Sequence, residues 1–226
     1  MCMGSDNVTF EIIFTLDESF GPLKKRVEEA IIEGKEHGYS NEAIIDTALS
    51  EYDVSIRCQG KEFFDATVSF SEFLHELFRF AFYALTGEVP AELKSHGWSF
   101  NGLNELPKWL DSEVKILREL LGNDFEEATS RPFLRSFFGS YDPRLVVYGF
   151  RKGGYIYLVS VDYRKVCRVP ISEFVEETRR VIERALQELG TCTHLFEREG
   201  IREFQEILSK YDKLLKRLKN LSRGIV

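Results

Sequence analysis

The stretch Glu72-Phe-Leu-His75-Glu76-Leu-Phe-Arg79 places two ionisable carboxylates, an imidazole and a guanidinium within eight residues. On a helix, Glu72 and His75 would share a face, which is half of the ligand set of a carboxylate-rich di-metal site. A zinc peptidase helix needs His-Glu-x-x-His, with two imidazoles one turn apart. Arg79 stands where the second imidazole would be, so that motif fails. A di-metal site would also need a second Glu-x-x-His. The nearest counterpart is Glu173-x-x-Glu176, with a carboxylate in place of the imidazole. His96, in a long loop downstream, is the third metal-ligand candidate. A local role competes for Glu72: Ser69-Phe-Ser-Glu72 fits a capping box at a helix start, where an acid also suits the helix dipole. The sequence is therefore read as carrying no metal and no cofactor, with Glu72, His75 and His96 as the residues that would serve if it did.

Other chemistry has less to draw on. Cys192-Thr-His194 is a ligand-type pair with no second pair at metal spacing. There is no glycine-rich phosphate loop, and Gly153-Gly154 reads as a hairpin turn rather than a strand-to-helix loop. A Gly-x-Ser-x-Gly elbow is absent too. No catalytic residue is assigned.

Binding has better candidates. The net charge of −7 hides an asymmetry. Residues 1–130 hold eleven Lys/Arg against twenty-five Asp/Glu, a net −14; residues 131–226 hold nineteen against twelve, a net +7. Either the two ends attract each other in the fold, or one of them is a face for a partner of opposite charge. Three groups of residues are singled out. The breaker-rich loop at 86–106 carries Trp98 and Phe100, which either pin the loop to the core or meet a ligand. Arg151 and Lys152 sit in a strand region where basic residues alternate with Tyr148, Tyr155, Tyr157 and Tyr163, a pattern that suits single-stranded nucleic acid as well as ordinary cross-strand pairing. Lys213, Lys216 and Arg217 lie on the basic face of a C-terminal amphipathic helix, able to meet a protein or nucleic acid.

The elements that must position these residues centre on 68–85, VSFSEFLHELFRFAFYAL. Its apolar residues spread over almost the whole helical circumference, so it is expected to be a buried post, and it is too short and too charged to span a membrane. Strands are expected at 8–16, 52–58, 63–68, 145–150, 155–162 and 165–169. Amphipathic helices are expected near 22–34, 40–48 and 107–121, from Ser172 to Gly190, and over 199–221. The segment 124–138 is expected to be partly helical and broken at Pro132. These give an α+β fold: an antiparallel sheet of about six strands with helices packed on one face. The chain is read as one domain, 1–226, with internal halves at 1–125 and 126–226. The halves rest on a gapless match of 68–85 with 169–186, identical at eight of eighteen positions, which would make two related β-hairpin–helix units.

The four cysteines are scattered, and a chain of this length needs no disulfide, so reduced thiols are expected. The first residues show no signal-peptide pattern, and a cytoplasmic location is expected. The function expected is a non-catalytic protein-binding module, of inhibitor or immunity type, that uses the acidic N-terminal half. The alternatives are a nucleic-acid-associated protein using the basic C-terminal half and a metal-dependent enzyme around Glu72 and His75. A protein partner is expected, with nucleic acid as the second choice, and a homodimer through the C-terminal helix is the expected self-association.

Overall fold

The structure is a computed structural model, and it describes residues 10–16, 22–50, 52–94, 98–137 and 145–223. The fold is α+β. The chain opens with β1 (Phe10–Leu16), then α1 (Leu23–His37) and α2 (Asn41–Ala48). Pro22 precedes α1, and Gly38 at φ 70° ends it. Ser40 caps α2 by accepting from the Ala43 amide, as its type and place predict. The hairpin β2 (Tyr52–Cys58) and β3 (Lys61–Val68) leads into α3 (Phe70–Thr86). The Ser69 hydroxyl accepts from the Glu72 amide at 3.3 Å, which is the capping bond expected at that start.

Among the described residues the six strands expected become eight, in two antiparallel sheets rather than one. The first sheet is a meander in the order β1-β2-β3. The second has the order β4 (Trp98–Phe100), β5 (Phe133–Phe137), β6 (Val146–Lys152), β7 (Tyr155–Ser160), β8 (Lys165–Pro170). The two additional strands are β4 and β5. Both lie where breakers or helix formers dominate locally, and both exist by pairing: β5 adds to the apolar edge of β6, where Leu134 faces Gly149 and Arg135 faces Tyr148, and β4 adds to β5.

Helices also cover both faces of the second sheet, not one. Strand β6 is buried at five consecutive positions, Val146 to Phe150, and a strand buried on alternate and intervening positions alike must have layers above and below it. Val147, Ile156, Leu158, Cys167 and Val169 face the main core. Tyr148, Phe150, Tyr157 and Val159 face a second cluster with α4 (Asp111–Leu121) and α5 (Phe125–Thr129).

The post α3 sits in the main core, with fourteen of its seventeen residues buried. Phe14 of β1 stacks on Phe73 at 5.0 Å, and Tyr52 of β2 meets Phe70 edge-on at 5.1 Å. On the side of the second sheet, Phe80 lies so close to Gly149 that a Cβ there would fall 2.5 Å from the ring. The Tyr83 hydroxyl donates to the Pro132 carbonyl at 2.6 Å and accepts from the Arg151 amide at 3.1 Å.

After β8 comes α6 (Ile171–Gly190), which starts one residue ahead of Ser172 with Pro170 before it and no side-chain cap. Ser172 is therefore inside the helix. The first-turn acid Glu173 accepts from the Phe10 amide at 2.7 Å, and Glu177 from the Ile12 amide at 2.9 Å. Then follow α7 (Thr193–Arg198) and α8 (Glu203–Ser222). Both hairpins, β2-β3 and β7-β8, run straight into a helix, α3 and α6. At matching positions these helices carry a Glu–Arg pair three residues apart: Glu76–Arg79, buried, and Glu177–Arg180, at the surface.

The expected reduced thiols are not all found. Cys58 of β2 and Cys167 of β8 are joined in a disulfide, with their Cα atoms 5.8 Å apart and a separation of 109 positions in the chain. Sequence spacing gave no sign of it, because the two sheets must first pack to bring the residues together. Cys192 is a buried free thiol. No helix among the described residues is long and apolar enough to cross a membrane.

Candidate functional site

Two of the three metal candidates, Glu72 and His75, are described. Glu72 is exposed on the first turn of α3, whereas His75 is buried and its Nε2 lies 3.2 Å from the Leu93 carbonyl oxygen. His96 lies outside the described residues. Among the described residues no group of three or more His, Cys, Asp or Glu is placed to hold a metal ion. The ionic chemistry of α3 is turned inward. Arg79, 1% exposed, donates to both Glu76 oxygens at 2.8 Å and to the Ser136 hydroxyl of β5 at 2.9 Å. Its Nε is buried with no hydrogen-bond partner.

The aromatic loop is largely spent on packing. Phe100 is buried, with its ring 5.5 Å from that of Phe133. The backbone of Trp98 pairs with Arg135 in β4-β5, while its side chain lies outside the described residues. Lys152 is held by Asp124 at 2.6 Å and Glu127 at 2.8 Å, and these two bonds push its pKa above the ordinary lysine value. Arg151 is half-buried, and its Nη1 would lie 3.2 Å from a Cβ placed on Gly87.

The C-terminal helix α8 closes the core. Phe204, Tyr211, Leu214, Leu215 and Leu218 are buried, Tyr211 stacks on Phe78 and its hydroxyl donates to the Ser71 carbonyl at 3.1 Å. Most of the apolar stripe of α8 is thus buried within the chain. On the outer face, Lys216 pairs with Asp212 and Arg217 with Glu92. Lys213 is exposed, in an open groove with Lys210, Glu206 and Glu92.

One organised cluster was not singled out from the sequence. Arg135, 2% exposed, grips Glu113 through Nε at 2.9 Å and Nη2 at 2.7 Å, and the Tyr148 hydroxyl donates to the same carboxylate at 2.6 Å. Burial first, then the adjacent Glu113, pushes the Tyr148 phenol far above its ordinary pKa, so it stays a donor. The exposed Trp109 ring lies 5.5 Å from the Arg135 guanidinium carbon. The residues lie on α4, β5, β6 and the turn before α4, too far apart in sequence for any spacing rule to join them.

The charge asymmetry resolves unevenly. Much of the acidity of residues 53–130 is met by bases of the second half: Glu62 by Lys165, Glu92 by Arg217, Glu113 by Arg135, Glu119 by Arg164, and Asp124 with Glu127 by Lys152. The helices α1 and α2 are different. Glu33, Glu36, Glu42 and Asp46 are exposed, and among the described residues none of them forms an ion pair. Asp46 is held above the usual carboxylate range, by partial burial first and by Glu42 one turn away second. Ile32, 58% exposed, stands on the same helix as Glu28, Glu29, Glu33 and Glu36. The two helices are fixed against each other where Gly34 meets Ile44, so closely that a Cβ on Gly34 would fall 2.3 Å from Ile44 Cγ1.

No protein-family model matches this chain, and comparison with curated proteins and with solved structures gives no significant match.

Proposed function

We propose that the chain is a non-catalytic protein-binding module, of inhibitor or immunity type, whose acidic α1–α2 face docks on a basic protein surface. One observation carries this reading: Ile32 stands exposed on a helix with Glu33 and Glu36, exposed carboxylates in no ion pair, whereas Glu62, Glu92, Glu113, Glu119, Asp124 and Glu127 are met by bases of the second half. A single exposed isoleucine is ordinary; its company is not. Like charges four apart, such as Glu42 and Asp46, cost an isolated helix about 0.2–0.5 kcal/mol, and a cationic partner would turn that cost into attraction. Burying Ile32 would add about 1.5–3 kcal/mol, and the surrounding charge would speed encounter. A cytoplasmic setting belongs to the same proposal.

The test is affinity capture from the host's lysate after nuclease treatment, run beside the triple variant Ile32→Ser/Glu33→Lys/Glu36→Lys. All three positions are exposed, so the variant should melt with the wild type. The expected result is a stoichiometric basic protein that the variant loses. If the variant retains the same partner, the face is wrong. If recovery vanishes with nuclease, the basic side of α8, with Lys210 and Lys213 outward, becomes the binding surface instead.

A further inference from the structure

We infer that the Cys58–Cys167 disulfide is a latch on the seam between the two sheets, closed by oxidation and opened by a dithiol reductant. Strand β3 is one edge of the first sheet and β8 one edge of the second, and no backbone ladder joins them. Side chains of the β7-β8 hairpin bridge the gap instead. The Tyr163 hydroxyl donates to the Asp65 carbonyl at 3.0 Å, and Lys165 Nζ donates to the Glu62 carbonyl at 2.8 Å. Both bonds are exposed, and the Lys165–Glu62 ion pair is long at 3.9 Å. Such contacts hold weakly in water. The disulfide is the covalent crossing, and it closes a chain segment long enough for the link to matter.

The two sulfurs differ in access. Cys167 is fully buried, whereas Cys58 is half-buried at the end of β2, beside the turn at Gln59 and Gly60. A dithiol thiolate therefore reaches the Cys58 sulfur. It forms a mixed disulfide there and expels Cys167 as a thiolate, which takes up a proton. The second thiol of the reagent then attacks its own bound sulfur, closes a cyclic disulfide and releases the Cys58 thiol. Two electrons and two protons pass from the dithiol to the protein. The contacts of α3 with the second sheet lie elsewhere, at Ser136 of β5 and at Gly149 and Arg151 of β6. Opening the latch should loosen β3 and β8 and leave α3 in place.

Hydrogen exchange on the oxidised protein and on protein reduced with dithiothreitol tests this. Peptides covering 57–68 and 161–170 should exchange at least ~10-fold faster after reduction, since local opening sets amide exchange. The peptide over 70–86 should be unchanged, and reoxidation should restore the first two. Cys58→Ser should show the reduced pattern with or without reductant. Equal exchange at the seam in both redox states would overturn the latch, and so would a uniform acceleration that includes 70–86. Labelling of all four cysteines by an alkylating agent in unreduced, denatured protein would overturn the bond itself.

Discussion

Replacing Tyr83 by phenylalanine removes one oxygen atom and little else. The residue is 1% exposed, so its ring is fully packed and phenylalanine fits the same space. The hydroxyl ties three elements: it leaves α3, donates to the Pro132 carbonyl before β5 and accepts from the Arg151 amide in β6. Pro132 is exposed, and water can replace the lost bond to its carbonyl. The Arg151 amide is half-buried and loses a partner. One net hydrogen bond is worth about 1 kcal/mol and an unsatisfied donor costs about 1–3 kcal/mol, nearer about 1–2 at the half-buried Arg151 amide, so the variant should lose about 2–3 kcal/mol. For a domain of this size each kcal/mol lowers Tm by about 2–4 °C, which gives a fall of about 4–12 °C. Urea unfolding followed by circular dichroism should show a lower midpoint at constant slope, and the Arg151 amide should exchange faster. A change under ~0.5 kcal/mol would refute the bridging role.

Gly149→Ala should cost about 1–3 kcal/mol by overpacking against Phe80, and Phe80→Leu in the same chain should recover part of it in the same unfolding assay. Tyr83 and Tyr211 are both pushed up to about 12, by burial first, against an ordinary 10. The folded state then holds protons that the unfolded chain releases, so their contribution is whole below pH 10 and is lost as pH rises towards 12. A pH series of urea midpoints should fall over that window, and a flat series would contradict the burial. Chelation should leave Tm unchanged, since Glu72 is exposed while His75 is buried against the Leu93 carbonyl; a fall of several degrees on adding a chelator, reversed by a divalent cation, would restore the metal reading.

What could be read from the sequence is what depends on local pattern. The apolar circumference of 68–85 forecast the burial of α3, Ser40 and Ser69 forecast their caps, and Gly153-Gly154 forecast the β6-β7 turn, where both glycines take positive φ. Strands β4 and β5 escaped because they are made by pairing rather than by composition: Phe133 to Phe137 is bracketed by breakers and takes its register from β6. The Glu113–Arg135–Tyr148 cluster and the Cys58–Cys167 bond escaped for the same reason, since each joins residues that only the packed sheets bring into reach. The charge asymmetry was legible, but its division into acids met by bases of the second half and acids in no ion pair was not, because matching is a property of distance.

The two carboxylates that α6 lends to β1 bear on how the protein behaves when crowded. An edge strand with bare amides is a template on which a second molecule can add its own strand and begin a fibre. Here Glu173 and Glu177, one helical turn apart, occupy the outward amides of Phe10 and Ile12. Of the other margins, β4 is only three residues long, and β3 and β8 confront each other across the disulfide-linked seam. Removing both carboxylates would therefore cost two charge-assisted hydrogen bonds and, beyond that, open a new route to self-assembly, one that would be invisible in dilute solution and would grow with concentration and with time.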